Sequence, residues 1–311
     1  MAETMVKRQH LLGDGRRILY YGDGTPAPAR LPLVTVVTGS NPLARGIARA
    51  LGKKGMVVAV IDRDGRQDPG AHRVFQGSVA VREIWEVLAH QYRIRSVIHT
   101  ASLDRVDPAD LRAVFSRTVG EGMAMLNALE EMGGAPMVAA SHASVYGVED
   151  YREPARLAPL SIYGENLRQL EQQLRLFSGR GQWPLALLRV FQTLAPKDRG
   201  LSDLWGGPVV PAAGPVLQQD SLPLDDAVNA FVRAEEYVMS LKTSSAVFDI
   251  GSGGLAALPE GVMPVWGPHA GGGSRHWQAD TGPAREKLGW WPNSEAAATL
   301  WGNLKTREDS L

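Results

Sequence analysis

The chain has 311 residues, contains no cysteine, and balances 33 basic residues against 33 acidic ones. This length supports a sizeable buried core, while the lack of cysteine excludes disulfides, thiolate metal ligands and a cysteine nucleophile. The balanced charge offers no general attraction to nucleic acid or to an anionic membrane, so a small molecule is the expected partner. No apolar run is long enough to cross a bilayer, and residues 1–10 do not resemble a signal peptide, so we predict a cytoplasmic protein.

The first 32 residues are rich in glycine and proline around a short β-like run, and they predict an N-terminal extension that can form a hairpin. From residue 33 onward, continuous apolar runs alternate with helical patterns. Such runs are typical of strands buried in a parallel sheet with helices on both faces. The predicted strands are 33–38, 57–61, 96–100, 137–140 and 185–190. The predicted helices are 43–51, 81–91, 109–132 and 163–177.

After Phe191 the sequence becomes rich in loops, with one clear helix predicted over 225–240. Asp225 and Asp226 at its start suit the positive end of the helix dipole. Ligands of open parallel sheets bind at the carboxyl edge of the strands, so a smaller lobe over that edge is expected. We therefore predict an α/β fold with a doubly wound, Rossmann-type parallel sheet. Its regions are the extension 1–32, the sheet domain 33–190 and a mainly C-terminal lobe 191–311.

The strand, turn and helix start at 34–46 correspond to a degenerate dinucleotide-binding turn. The pattern Thr-Gly-x-x-Gly-x-x-Gly uses its glycines for a tight bend, for close approach to a pyrophosphate and for helix packing. Only Gly39 stands in its place, because Pro42 and Arg45 replace the other two. Proline offers no N–H to a phosphate, although it suits the first turn of a helix. Gly46 lies one residue late and can compensate if the turn is rearranged.

Two further features at this edge bear on nucleotide binding. The helix N-terminus after Gly39 is an anion site whatever its side chains. Asp62 closes the second strand, where a carboxylate accepts hydrogen bonds from an adenosine ribose and disfavours a 2′-phosphate, while Arg63 leaves NADP open. The alternative is a strand, turn and helix that only pack, with Asp62 as a solvated residue.

The order of several short segments resembles the extended short-chain dehydrogenase/reductases, the NAD-dependent epimerase/dehydratase family. The resemblance runs from about residue 33 to residue 293 and does not depend on one motif. The matching segments are V-I-H-T-A-S at 97–102, S-H-A-S-V-Y-G at 141–147, S-I-Y-G at 161–164, L-R-V-F-Q at 188–192, L-D-D-A-V at 224–228, and D-T-G-P-A-R with L-G-W at 280–290. This resemblance implies that the sheet domain binds a dinucleotide and that the C-terminal lobe binds substrate.

The family's catalytic base is a tyrosine followed one helical turn later by a lysine, which lowers the tyrosine pKa. Tyr163 matches the tyrosine, but Leu167 occupies the lysine position. Without that cation we expect Tyr163 to be a poor base at neutral pH. His142 stands where the family has a serine or threonine that binds the reacting oxygen. Histidine can donate the same bond and exchange a proton near neutral pH, although a structural histidine at a strand end is equally compatible with the sequence.

The resemblance also implies a cofactor, a set of binding residues and a homodimer that pairs through the two long helices 109–132 and 163–177. The implied cofactor is NAD, with NADP left open. Three expected contacts are changed, with Ser78 replacing an aspartate, and Thr118 and Gln192 each replacing an asparagine. The implied cofactor-binding residues are Gly39, Ser40, Asn41, Leu43, Ala44, Asp62, Arg63, Ser78, Val79, Thr100, Ala101, Ser102, Thr118 and Tyr163.

Three functions are compatible with the matching segments and with the replaced site residues. The first is an enzyme that uses NAD to act on a nucleotide sugar or a similar hydroxy or carbonyl compound, with Tyr163 and His142 handling the proton. The second keeps the fold but uses the same two residues for acid/base chemistry without redox. The third is a non-catalytic scaffold or partner protein. The histidines show no metal-ligand spacing, so no metal site is predicted.

Overall fold

The computed structural model describes residues 6–11, 17–22, 31–104, 106–107, 109–146, 157–159, 161–194, 218–254, 256–257 and 276–293. The strands are β1 Val6–Leu11, β2 Arg17–Gly22, β3 Leu33–Thr38, β4 Val58–Asp62, β5 Arg73–Gln76, β6 Arg93–His99, β7 Met137–His142, β8 Leu185–Val190, β9 Gln192–Leu194, β10 Gln218–Gln219, β11 Ser221–Pro223, β12 Ser245–Ile250, β13 Ala256–Ala257 and β14 His276–Trp277. The helices are α1 Pro42–Lys53, α2 Arg82–Gln91, α3 Leu111–Phe115, α4 Glu121–Glu131, α5 Ile162–Gly181, α6 Leu224–Ser240 and α7 Gly282–Leu288, and a π-helical turn, Ser116–Gly120, joins α3 to α4.

The main sheet has the strand order β1-β2-β5-β4-β3-β6-β7-β8-β12. The seven strands β5, β4, β3, β6, β7, β8 and β12 run parallel to one another. The chain winds in one direction from β3 to β5 and in the opposite direction from β6 to β12. Helices cover both faces, so the predicted doubly wound, Rossmann-type α/β fold is confirmed. Such a reversal opens a crevice at the carboxyl edge of the sheet.

Strands β3 and β6 bring two distant turns together at this crevice. Thr38 at the end of β3 lies opposite His99 at the end of β6, and Thr38 Oγ1 is 2.8 Å from His99 Nδ1. The residues that follow, 39–41 and 100–104, are therefore neighbours although about 60 positions separate them in the sequence.

The hydrophobic core has one layer on each face of the sheet. Helices α1 and α6 pack on one face, where Val37 and Ile47 are buried. Helices α2 and α4 pack on the other face, where Val36 and Trp85 are buried. Alternate residues of β3 thus serve opposite layers, which explains why the whole strand is apolar.

All predicted strands and helices of the sheet domain are present, with ends shifted by a few residues. The sequence patterns missed β5, β12 and α7, and they predicted an unbroken helix over 109–132 where the structure has the π-helical turn. The N-terminal extension forms a hairpin, β1 with β2, and β2 pairs antiparallel with β5. The division at residue 190 stays a prediction, and both α6 and β12 lie beyond it yet return to the sheet. No helix within the described ranges is long and apolar enough to cross a membrane.

Candidate functional site at the carboxyl edge of the sheet

The turn between β3 and α1 has the tight geometry that its single glycine allows. Gly39 has φ +135°, and a Cβ atom there would lie 2.5 Å from Thr100 Oγ1. Asn41 caps the helix, because its side chain accepts a hydrogen bond of 2.9 Å from the Ala44 amide. Gly46 permits close packing of α1 against α6, since a Cβ there would lie 2.5 Å from Val228 Cγ2. The bend is therefore tight, and α1 packs closely on α6, although two expected glycines are missing.

A carboxylate lies at the N-terminus of α1, where an anion is expected to bind. Asp104, which follows the turn after β6, accepts a hydrogen bond of 2.8 Å from the Ser40 amide to its Oδ1 atom. Asn41 Nδ2 donates to the same oxygen at 2.7 Å and to the Thr100 carbonyl at 3.0 Å. Burial raises the pKa of Asp104 to about 7, while the bonds from Ser40 and Asn41 work in the opposite direction. The sequence patterns did not identify this residue.

The carboxyl end of β4 is built around Asp62. Its Oδ1 accepts hydrogen bonds from Ser40 Oγ at 3.0 Å and from the amides of Asp64 and Gly65 at 2.7 and 3.1 Å. Burial raises the pKa of this carboxyl group, and these hydrogen bonds oppose the rise. Asp62 is thus an integral part of the turn rather than a solvated strand-end residue, because only 1% of its surface is exposed.

Arg63 is held by a carboxylate from another element. Its Nη2 atom lies 2.5 and 2.6 Å from the two carboxylate oxygens of Glu121 at the start of α4. Ser78 Oγ donates to the same carboxylate at 2.6 Å. A 2′-phosphate would therefore have to compete with Glu121 for Arg63, which favours NAD over NADP at this position.

The other predicted cofactor residues fall into two groups. Ser40, Asn41, Thr100, Ala101 and Ser102 lie where the turns after β3 and β6 meet, and Thr100 Oγ1 bonds the Thr38 carbonyl at 2.7 Å. Ser102 Oγ donates to the Ala140 carbonyl at 2.9 Å. The second group is buried, and its members are Leu43, Ala44, Val79 and Thr118. Thr118 belongs to the π-helical turn, a distortion that is frequent at functional sites.

His142 and Tyr163 lie together at the next part of the edge. Their ring centroids are 6.2 Å apart, with His142 at the end of β7 and Tyr163 in the first turn of α5. His142 Nδ1 accepts a hydrogen bond of 3.1 Å from the Ser144 amide, so the proton of the neutral ring is on Nε2. Burial lowers the pKa of His142 to about 4, which keeps the imidazole neutral at pH 7.

Tyr163 has lost the electrostatic support that would make it a base. Its hydroxyl lies 3.5 Å from the Ser102 carbonyl. Burial raises the pKa of the phenol far above its ordinary value, and the charge of Asp104 raises it further. Leu167 is fully buried in the same apolar cluster as Leu103 and Val114. The group at the lysine position is thus part of the core, and Tyr163 stays protonated at neutral pH.

A buried network beside this pair was not predicted. Arg189 on β8 binds the carboxylate of Glu171 on α5 through Nε and Nη2, at 2.9 and 2.6 Å. Arg189 Nη1 also donates to the Tyr146 hydroxyl at 2.8 Å, and that hydroxyl donates to Asp249 Oδ1 at 2.7 Å. An arginine inside an apolar strand was the available sequence signal, because buried charges need partners. The network ties α5, β8 and β12 together behind the edge.

In the part of the chain that the structure describes, no group of three or more histidine, aspartate or glutamate side chains is placed to hold a metal ion. The titratable groups described at this edge include Asp62, Asp104, His142 and Tyr163, together with Arg63 and its partner Glu121. Such a set can bind a dinucleotide or exchange protons with an oxygen of a small ligand.

Comparison with known proteins assigns the family. Residues 35–205, more than half of the chain, match the model of the NAD dependent epimerase/dehydratase family. The chain therefore belongs to this family, whose members are extended short-chain dehydrogenase/reductases. A search of curated proteins gave no match.

Solved structures share the fold at low sequence identity. UDP-glucose 4-epimerase from Bifidobacterium longum, in complex with NAD+ and UDP, has a TM-score of 0.69 and 20% identity, covering 84% of this chain and 93% of that one. MoeE5 in complex with UDP-glucuronic acid and NAD has a TM-score of 0.71 and 23% identity, covering 89% and 99%. UDP-glucose 4-epimerase from Brucella ovis in complex with NAD has a TM-score of 0.71 and 17% identity, covering 84% and 94%. These likenesses establish the fold.

Proposed function

We propose that this protein binds NAD along the carboxyl edge of its sheet and acts on a nucleotide sugar or a similar small hydroxy or carbonyl compound. The observation that carries the proposal is the turn at Gly39, which holds an anion, the Asp104 carboxylate, at the N-terminus of α1. Membership of the NAD-dependent family supports it. The NAD and UDP-sugar complexes of similar structures support it further.

The residues present fit most of a dinucleotide. Gly39 allows the tight bend, because Thr100, Asn41 and Ala101 fill the space that a side chain there would need. The buried Asp62 carboxylate closes β4, at the strand end where an adenosine ribose hydroxyl would be expected. Ser40 and Asn41 supply the donors nearest to a pyrophosphate, although both now bind Asp104. When bound, the nicotinamide would accept hydride from a substrate carbon or return it.

His142 and Tyr163 would manage the proton at the reacting oxygen. The neutral His142 ring carries its proton on Nε2, so it can donate a hydrogen bond to that oxygen. The raised pKa of Tyr163 keeps the phenol protonated at neutral pH, so it can donate a hydrogen bond but is a poor base. The pair is therefore better suited to donating hydrogen bonds to the oxygen of a bound ligand than to deprotonating an alcohol.

The full burial of Leu167 favours a second candidate function. With no cation beside Tyr163, the same edge would bind its ligand without redox turnover, either for acid/base chemistry alone or as a non-catalytic partner protein. Both candidate functions require a ligand at the carboxyl edge, but only the first includes redox turnover.

Thermal unfolding with and without dinucleotide tests the first candidate. A ligand that binds only the folded state raises the melting temperature by mass action, so millimolar NADH should raise it. NADPH should raise it less, because Arg63 is held by Glu121. Asp62→Asn should reduce the shift, whereas Asp64→Asn, at an exposed neighbour, should not. The absence of any shift at millimolar NADH would contradict the proposal, and a shift without turnover of sugar nucleotides or carbonyl compounds would favour the second candidate.

We also propose that the protein is a homodimer. Four large apolar side chains on α3 and α5 are exposed, namely Leu111 at 52%, Phe115 at 50%, Ile162 at 49% and Leu176 at 53%. These helices belong to the two long segments through which family members often pair. Light scattering after size exclusion should report a dimer that Phe115→Glu weakens and that Trp291→Glu, at an exposed site elsewhere, leaves intact. A monomeric wild type would contradict this proposal. The cytoplasmic location stays a prediction.

A further inference from the structure

Asp104 occupies the position that an incoming phosphate would need. Its Oδ1 atom accepts hydrogen bonds from the Ser40 amide and from Asn41 Nδ2, at 2.8 and 2.7 Å. These are the donors at the start of α1, where the helix dipole favours a negative charge. A phosphate cannot use the Ser40 amide while the carboxylate holds it.

The surroundings of Asp104 make its negative charge costly. In the described part of the chain, the charged or titratable groups that act on it are Asp62, Arg63 and Tyr163. Asp62 repels the charge, and Arg63, which would attract it, is already bound to Glu121. The Ser40 and Asn41 hydrogen bonds are therefore the principal compensation for the ionised form.

We propose that Asp104 is an internal anion that controls dinucleotide binding, and that a pyrophosphate binds only when this carboxyl group is protonated or displaced. The inference rests on the proposed function, because it assumes a dinucleotide at the turn. The inference adds to the proposed function that Asp104 sets the affinity for the dinucleotide, and it gives the direction in which that affinity changes with pH.

The sign of the pH dependence follows from the ionisation of Asp104. Its pKa is raised to about 7, so the carboxyl group is mostly neutral at pH 6 and mostly ionised at pH 8. If only the neutral form admits a pyrophosphate, the apparent affinity falls with the neutral fraction, by about tenfold between these two pH values. The phosphodiester groups of NAD+ do not titrate in this range, so the change belongs to the protein.

The experiment is calorimetric titration with NAD+ at pH 6 and pH 8, using wild type, Asp104→Asn and Asp107→Asn. Asp107 is an exposed carboxylate three residues further along and matches the loss of charge. Wild type and Asp107→Asn should bind NAD+ about tenfold more weakly at pH 8 than at pH 6. Asp104→Asn should bind with equal affinity at both, and at pH 8 more tightly than wild type. Asp104→Ser, which also shortens the side chain, serves as a second variant should the first fail to fold.

A parallel titration with inorganic diphosphate at pH 8 separates the two proposals. If NAD+ binds wild type and Asp104→Asn alike, without pH dependence, the role of Asp104 is overturned and the proposed function stands. If NAD+ binds none of the proteins, the proposed function fails. Tighter diphosphate binding by Asp104→Asn than by wild type would then still support the role of Asp104, whereas equal or absent diphosphate binding would overturn it.

Discussion

Two buried tyrosines at the same edge of the sheet have opposite electrostatic surroundings. Tyr146 receives a hydrogen bond from the Arg189 guanidinium, whose carbon atom lies 5.0 Å from the centre of the ring, and donates one to Asp249. Tyr163 lies against the apolar Leu167 instead. Burial raises the pKa of both phenols. The buried cation of this region thus lies in the network of Glu171, Tyr146 and Asp249, whereas the position that would activate a phenol is part of the apolar core.

Removal of the cation beside Tyr146 should have the largest effect. Arg189→Met would leave the buried Glu171 carboxylate without its guanidinium partner and would remove one hydrogen-bond donor from the Tyr146 hydroxyl. Breaking a buried ion pair in this way typically costs about 3–5 kcal/mol of unfolding free energy. Urea unfolding followed by circular dichroism measures the loss. Lys54→Met, which removes an exposed partner of Glu236, is the control and should unfold close to wild type. Similar midpoints for the two variants would show that the network does not stabilise the fold.

Introducing a cation beside Tyr163 should make its electrostatic surroundings more like those of Tyr146. Leu167→Lys places an amine in the core and should cost about 2–4 kcal/mol of stability, because apolar burial is lost and the amine is desolvated. In the variant that remains folded, the lysine charge should lower the pKa of Tyr163. Absorbance at 295 nm during alkaline titration measures phenolate formation, and Leu167→Met controls for the change in packing. An unaltered tyrosine titration would show that the lysine position does not control this phenol.

Matched Tyr→Phe variants compare the two hydroxyl groups directly. Tyr146→Phe removes a partner from both Arg189 and Asp249, and a buried charged group that loses a hydrogen bond costs about 1–3 kcal/mol. Tyr163→Phe should cost less, because the bond that it gives up to the Ser102 carbonyl is long, at 3.5 Å, and uncharged. Unfolding free energies of the two variants test this order. The reverse order would mean that Tyr163 contributes more to stability than its hydrogen bond indicates.

The smallest expected effect concerns pH. Burial lowers the pKa of His142 to about 4, so the unfolded chain binds a proton more readily than the folded protein below about pH 6.5. Stability should therefore fall as the pH falls from 7 to 5, by about 1–2 kcal/mol from this residue. His142→Gln should flatten the decline, and His90→Gln, at an exposed position, should not. His99, which has a similarly lowered pKa, accounts for part of what remains. Equal slopes for all three proteins would argue against a buried neutral His142.

The sequence was most informative where a repeated pattern specifies the structure. Strands 33–38 and 185–190 could be recognised because strands buried on both faces have nearly continuous apolar sequences. Strand β5 was missed because it has only four residues and begins with Arg73. Strand β12 follows helix α6 and precedes a glycine-rich segment, and nothing local shows that it pairs with β8.

The candidate site was harder to predict because its contacts join distant turns. Gly39 and Asp62 could be selected from their spacing in the sequence. The tight turn requires a glycine, and the end of the second strand is where a carboxylate is expected. Asp104 could not be selected from its own neighbours, which carry no motif for an anion site. Only the strand order could have predicted Asp104, because β3 and β6 are adjacent and the turns that follow them meet at one edge of the sheet.

The N-terminal hairpin covers the edge of the sheet at β5. Strand β2 pairs antiparallel with β5 through Tyr20–Gly22, so the unpaired backbone groups of the sheet edge belong to β1 rather than to β5. Without the hairpin, β5 would present its donors and acceptors to the strands of other molecules, as open edges do in aggregation. A segment outside residues 33–190 therefore decides which strand ends the sheet on this side.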